Sequence, residues 1–286
     1  MKIRYSFWGQ LCLWTFLVLI CISVLYPCLY VLACSFSNNN SVVRGEVSIY
    51  PVRPTLDAYR YLFKYRLIGS GYQNTLFLVT VGTAINMLLT MTTAYGLAKK
   101  TLVGRKPLMF MITFTMMFNG GLIPNYILVS DLKLMDTQWS LILPSAISAY
   151  NLIIMKNFFE TLPEELNEAA RIDGLSEIGI LFRIVVPLSM ASIATIGLFY
   201  AVGHWNAYFS AALYLNSRRN WPLQLVLRNL LANANMSELP QDLSSTVPYE
   251  SLKMAVVVVT IGPIIVLYPF IQKYFVKGVM IGSLKG

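Results

Sequence analysis

The chain has 286 residues, 56% of them apolar and only 12% charged, with a formal net charge of +9. Soluble domains carry about 25% charged residues, so this composition excludes an ordinary soluble globule and indicates an integral membrane protein. The Lys and Arg residues fall in short runs between apolar stretches, which fits membrane topology better than a nucleic-acid surface.

A membrane span needs about 20 mostly apolar residues. Six stretches without Asp, Glu, Lys or Arg meet this need: 11–34, 72–97, 107–123, 138–155, 188–209 and 254–271. The first holds all four cysteines, Cys12, Cys21, Cys28 and Cys34, along one helix, where neither a disulfide nor a metal site is geometrically sensible. It is longer than the roughly 7–15 residues of a signal-peptide core and reads as a retained anchor. The third and fourth stretches are short, and either a different tilt or extension into interfacial structure is expected there.

Basic residues set the orientation. Lys2 and Arg4 precede the first span, Lys99, Lys100, Arg105 and Lys106 crowd the second connection, and Lys273, Lys277 and Lys285 follow the last span. With Lys156, Arg171 and Arg183, twelve basic residues then lie inside, against ten spread over longer outer loops, so both termini are expected to be cytoplasmic. The reading divides the chain into a tail and first span (1–34), an outer loop (35–71), and a five-span core (72–286) with a polar loop at 160–187 and a tail at 273–286.

Between the spans, the outer loop carries Tyr59, Tyr61, Phe63 and Tyr65, a pattern that fits either an interfacial aromatic segment or a solvated loop. Asn119-Gly120-Gly121 with Pro124 should break the third span near its outer end, and 131–136 forms a short polar link. Trp221-Pro222 should start an amphipathic helix, followed by a Pro/Ser-rich stretch.

The loop at 160–187 holds six of the thirteen acidic residues: Glu160, Glu164, Glu165, Glu168, Asp173 and Glu177. Thr161 and Glu164 have capping-box spacing, with Pro163 in the first turn. Glu164 and Glu165 place negative charge at the positive end of the helix dipole. The helix should run to Ile172 and stop at Gly174; Ser176 should cap a second helix that Pro187 closes or bends. Ala169 and Ala170 leave a smooth patch on which another backbone could seat.

Glu168-Ala169-Ala170, three residues, Gly174, nine residues, then Ile184-Val185-Val186-Pro187 resembles the EAA loop of ABC importer permeases, whose pattern is EAA-x3-G-x9-I-x-L-P. Val186 replaces the Leu. Asp173 before the Gly resembles the carbohydrate, maltose-type branch. The resemblance implies an all-α integral membrane protein with six transmembrane helices and the type I ABC importer permease fold, placed in the bacterial cytoplasmic membrane. It implies a transport subunit and not an enzyme, with Glu168, Ala169, Ala170, Asp173, Gly174, Ile184 and Pro187 coupling it to ATPase subunits. The implied partners are a second permease, two ATPase subunits, an extracytoplasmic solute-binding protein, membrane lipid and a carbohydrate substrate. ATP and Mg would bind in the ATPase subunits and no cofactor in this chain; the C-terminal tail would reach between those subunits. The segments MFNGGLIPNY and VKGVMIGSLKG resemble permeases for plant or algal polysaccharide fragments. The outer loops carry ten basic and seven acidic residues, a balance of +3 that fits an anionic oligosaccharide. An amino-acid or peptide ABC permease, or a stand-alone secondary transporter, are the alternatives.

The chain lacks a GxxxxGK[ST] loop, an HExxH motif, a Cys/His cluster and a nucleophile elbow. Its spans also lack the charged side chains of ion-coupled pumps. Candidates for the substrate path are Asn119, Asn151, His204, Trp205, Asn206 and Tyr208, densest from His204 to Tyr208. Aromatic faces with amide and imidazole donors suit sugars, although helix–helix hydrogen bonding and an aromatic belt would use the same residue types.

Overall fold

A computed structural model describes residues 7–233 and 249–283. The expected features of the Pro/Ser-rich stretch at 234–248, the N-terminal Lys2 and Arg4, and the last tail residues lie outside these. From the N-terminus run α1 (Phe7–Ser35), the short α2 (Asn39–Val43) and α3 (Asp57–Lys64), and then α4 (Arg66–Phe77). α4 continues through a π turn, Leu78–Gly82, into α5 (Thr83–Ala98). Next come α6 (Arg105–Met117), α7 (Leu122–Asp131), α8 (Trp139–Ile142) and α9 (Ala149–Phe159). A hairpin follows, made of α10 (Glu164–Ile172) and α11 (Glu177–Ile180), extended by a second π turn, Leu181–Val185, and α12 (Val186–Leu188). The order closes with α13 (Met190–Trp205), α14 (Phe209–Tyr214), α15 (Leu223–Asn233) and α16 (Tyr249–Ser283). Among the described residues there is no β-strand, only an isolated bridge between Ser37 and Pro54.

Three of the six apolar stretches form helices long enough to cross a membrane alone: Trp8–Ser35, Arg66–Ala98 and Tyr249–Val266. The other three are bent. α6 meets α7 at 114°, the Trp139–Ser145 arm meets α9 at 52°, and the Glu177–Leu188 arm meets α13 at 90°. The first of these breaks falls where the Asn119-Gly120-Gly121 run leads one to look, and Asn119 Oδ1 accepts a hydrogen bond from the Gly121 N–H at 3.1 Å. The third falls at Ser189, two residues beyond Pro187, the proline expected to close or bend the second hairpin helix. Pro187 lacks the N–H that would bond back into the preceding turn, and the Ser189 N–H reaches the carbonyls of Val185 and Val186 at 3.0 and 3.1 Å.

The chain forms two compact units, Met1–Ile68 with Leu227–Ile265, and Gly69–Val226 with Val266–Gly286. In the first, the side chains of α1 are exposed along most of its length, as a lipid-facing helix requires, and only its end packs inward. Ala33, Cys34 and Val47 are buried there, with Tyr30, Val42, Val52 and Met254 against them. Tyr59 of α3 rests on Phe36, with ring centroids 4.9 Å apart, and its hydroxyl lies 2.8 Å from Ser35 Oγ.

Two cores organise the second unit. One gathers Met87, Ala94 and Tyr95 of α5, Leu152, Met155 and Phe159 of α9, and Ile196 and Tyr200 of α13, together with Ala170, Ile180, Leu181 and Val185 of the hairpin. The other holds Leu78, Val129, Leu141, Ile142, Ala211, Tyr214, Leu215 and Leu225. α15 is the expected amphipathic helix, burying Leu223, Val226, Leu227 and Leu230. Asp136, at φ +59°, anchors the strap that leads into it. Its Oδ1 accepts from the Asn216 and Ser217 N–H groups at 3.1 and 2.8 Å, and its Oδ2 from the Ser217 hydroxyl. These bonds, the Ser217 hydroxyl foremost, hold its carboxyl below the usual carboxylate range.

Candidate functional site

The hairpin follows the residue logic of its sequence in most details. Glu164 and Glu165 occupy the first turn of α10. Gly174 has φ +80°, its N–H donating to the Arg171 carbonyl at 3.0 Å, and the Leu175 N–H reaches the Ala170 carbonyl at 3.0 Å. That pair of bonds is a Schellman closure, and the positive φ is what glycine supplies at low cost. Ser176 Oγ accepts from the Gly179 N–H at 3.2 Å and caps α11.

The capping box does not form. Thr161 still belongs to the turn that ends α9, and both its N–H and its hydroxyl go to the Phe158 carbonyl, at 3.0 and 2.7 Å. Pro163 takes the position ahead of α10, outside its first turn, and no side chain caps that end.

Glu168, Ala169, Asp173 and Gly174 are exposed, on or just beyond α10. Ala170 is turned inward, 3% exposed, within the core shared with α5 and α9. Its small side chain therefore lets this chain's own helices approach, and the outward patch is carried by Ala169 alone. Ile184 is half-buried against the same core, whereas Pro187 is exposed.

Sequence reasoning missed the ion pairs that fix the hairpin. Glu177 Oε2 accepts from the Tyr95 hydroxyl at 2.8 Å and from the Lys99 ammonium, and Oε1 accepts from Arg171 Nε at 3.2 Å. The Lys99 ammonium also stands 4.6 Å over the Tyr95 ring. The Lys99 bond, then the Tyr95 bond, hold the Glu177 carboxyl, on the hairpin outside the spans, below its usual range. Glu160 takes a second pair of cations, Arg105 on Oε1 and the nearly buried Lys156 on Oε2 at 2.7 Å. Between these pairs opens a cleft of about 520 Å³, lined by Lys99, Lys100, Arg171, Glu160, Glu164 and Glu165 among others. The positive run at 99–106 and the acidic run at 160–177 were visible as opposite charges, but their pairing across up to 78 residues was not.

The second candidate site is a cavity of about 520 Å³ lined by Asn151, Tyr200, His204, Asn206, Tyr208 and Ser210 among others. Four of the six path candidates thus meet: Asn151, His204, Asn206 and Tyr208. Trp205 points elsewhere, buried with its ring edge-on to Tyr72 at 6.5 Å, because one helical step rotates a side chain by about 100°. Asn119 is exposed in the turn between α6 and α7 and does not line this cavity.

Behind the cavity, His204 Nε2 lies 2.7 Å from Asn86 Oδ1, and Asn86 Nδ2 donates to the Ser145 and Ala146 carbonyls, each at 2.8 Å. Two carbonyl acceptors fix which end of the amide faces the ring, so Nε2 carries the proton and donates. Tyr200 adds a second link, its hydroxyl accepting from the Ser148 N–H at 3.0 Å and lying 2.8 Å from Thr90 Oγ1. Both polar links join α5, α13 and the corner ahead of α9.

A helical membrane bundle with a stapled polar cavity and a separate acidic hairpin is the anatomy of a transport subunit. Residues 87–281 match the family of binding-protein-dependent transport system inner membrane components, and the chain belongs to that family. It is therefore a multi-pass permease of a bacterial inner membrane, a transport component and not an enzyme. It is 45% identical over 276 residues to the polygalacturonan/rhamnogalacturonan transport system permease protein YtcP of Bacillus subtilis (strain 168), covering 95% of this chain and 96% of that one. It is 46% identical over 262 residues to Protein LplC of the same organism, covering 91% and 89%. The solved structure of a bacterial ABC transporter involved in the import of the acidic polysaccharide alginate aligns with a TM-score of 0.88 at 32% identity, covering 95% of this chain and 99% of that one.

Proposed function

We propose that the chain is one of two permease subunits of an ATP-driven importer for an acidic oligosaccharide. One observation carries this reading: the 45% identity to a polygalacturonan/rhamnogalacturonan permease over 276 residues, 95% of this chain. The cavity chemistry agrees, since tyrosine faces, amides and an imidazole offer ring contacts and hydroxyl partners.

In this reading both termini and the hairpin face the cytoplasm, where two ATPase subunits bind ATP and Mg. Glu168, Ala169, Asp173 and Gly174 present the docking face. Closure of the ATPase dimer moves the docked hairpins together and turns the bundle from inward-open to outward-open, a rigid-body change. A second permease completes the path, and a solute-binding protein outside delivers the substrate.

The test is uptake of labelled galacturonate oligomers by cells that carry or lack this gene, with neutral arabino-oligosaccharides and a peptide as competitors. Loss of galacturonate uptake on deletion, with competition confined to acidic oligomers, is expected. Competition by the peptide, or uptake that persists without an ATPase partner, overturns the reading. A Gly174→Asp permease should insert normally yet fail to support uptake.

A further inference from the structure

Helix α5 touches both candidate sites. Near its start, Asn86 holds His204 at the cavity; at its end, Tyr95 and Lys99 hold Glu177 of the hairpin. The nine residues from Asn86 to Tyr95 span about 14 Å of helix, with no break between. Along that length Met87, Thr90, Ala94, Tyr95 and Leu97 are buried, so α5 is held by packing on its flank and by polar contacts at its ends.

Glu177 is the point where three elements meet. It opens α11, Arg171 comes from the last turn of α10, and Tyr95 and Lys99 come from the end of α5. One carboxylate facing a hydroxyl and two cations makes charge-assisted bonds, stronger and shorter than neutral ones. Both halves of the hairpin are thereby tied to a single helix end by a side chain outside the resemblance that marks the loop.

We propose that Glu177 is a positioning residue: it latches the hairpin to α5, so that the two move as one body and a displacement of the hairpin reaches the Asn86–His204 pair at the cavity. The proposal rests on the reading of the hairpin as the ATPase dock. It separates the surface that meets the ATPase, centred on Glu168 and Ala169, from the latch that delivers the motion. Without the latch the hairpin still docks and keeps the apolar core it shares with α5, but with the charged tie at the helix end gone less of its displacement is passed on and more hydrolysis is spent without transport.

The experiment uses the complete assembly, with partner permease, ATPase subunits and binding protein, reconstituted in proteoliposomes. ATP hydrolysis is read beside uptake of a labelled galacturonate oligomer. Glu177→Gln should keep the ATPase subunits through co-purification and lower uptake per ATP about tenfold. Tyr95→Phe, which removes one hydrogen bond and leaves the charges, should lower it about two- to fourfold. Because Lys99 and Glu177 act through one contact, the Glu177→Gln/Lys99→Met pair should lose little more than Glu177→Gln alone. Uptake per ATP within twofold of wild type for Glu177→Gln, or fully multiplicative losses in the pair, would overturn the latch. So would loss of the ATPase subunits on Glu177→Gln, which would make Glu177 part of the dock. Failure of the docking reading looks different: Ala169→Trp would then retain the ATPase subunits and normal uptake.

Discussion

Gly82 leaves the room that His204 fills. A Cβ on Gly82 would stand 2.6 Å from His204 Nε2 and 2.9 Å from Cε1. This glycine ends the π turn at Leu78–Gly82, so the widened turn, the missing side chain and the imidazole form one fitted contact behind the cavity. π turns commonly lie at functional sites, where the extra residue re-aims a helix face.

Gly82→Ala should therefore displace the ring and break its bond to Asn86. Overpacking of this kind costs about 1–3 kcal/mol. The expected result is a lower thermal midpoint in detergent together with weakened uptake. An unchanged midpoint would mean that the ring is free to swing aside.

Much of this was legible from residue types because it is local. Gly174 stops α10 at the left-handed position, Ser176 caps α11, and Asn119 closes the break after α6, each through partners within a few residues. Thr161 shows the limit of the same logic, since its spacing to Glu164 suited a cap while the end of α9 competed for its hydroxyl and won. Ala170 and Trp205 differ from expectation for another reason. Their types said small and aromatic, but only packing decides which way a helix face is turned, and Glu177 meets Tyr95 across 82 residues that carry no periodic signal.

Uncharged substitutions at Gly174 should sort by tolerance of positive φ and not by size, because no other group lies within 4 Å of a Cβ placed there, whereas Asp fails through the charge it adds to the docking face. Gly174→Ala should cost about 1 kcal/mol, and Gly174→Asn less, since Asn enters the left-handed region more readily. Uptake should follow the order Gly, Asn, Ala. If Ala and Asn behave alike, the backbone is not the constraint.

Asp136 gives the strap at 214–221 a pH dependence of definite sign. Its folded pKa is lowered below the unfolded value of about 3.9, so the anchor is fully present above that value and is lost as pH falls through the folded pKa. Hydrogen exchange of this strap, corrected for intrinsic rates, should be flat from pH 7 to about 5 and rise only below about 4. Asp136→Asn keeps a residue that tolerates φ +59° while removing the charge, and should exchange faster at every pH with no acid transition. Acid loosening that survives this substitution would assign the effect to another group.

The cavity makes a claim that the lining Asn206 and the outlying Asn119 can check. Asn206 caps the end of α13 at the cavity wall, where its Oδ1 accepts from Gln224 Nε2 at 3.4 Å, a long bond that a substrate hydroxyl could replace. Asn119 has the same chemistry but stands away from this cavity in an exposed turn. One lost neutral hydrogen bond is worth about 0.5–1.5 kcal/mol, roughly a two- to tenfold change in affinity. Asn206→Ala should thus raise the KM of uptake about two- to tenfold and alter preference among oligomer lengths, with assembly intact. Asn119→Ala should leave KM near wild type, its loss confined to the stability of the turn. Equal effects from both substitutions would assign Asn206 to helix capping and move the substrate path away from this wall.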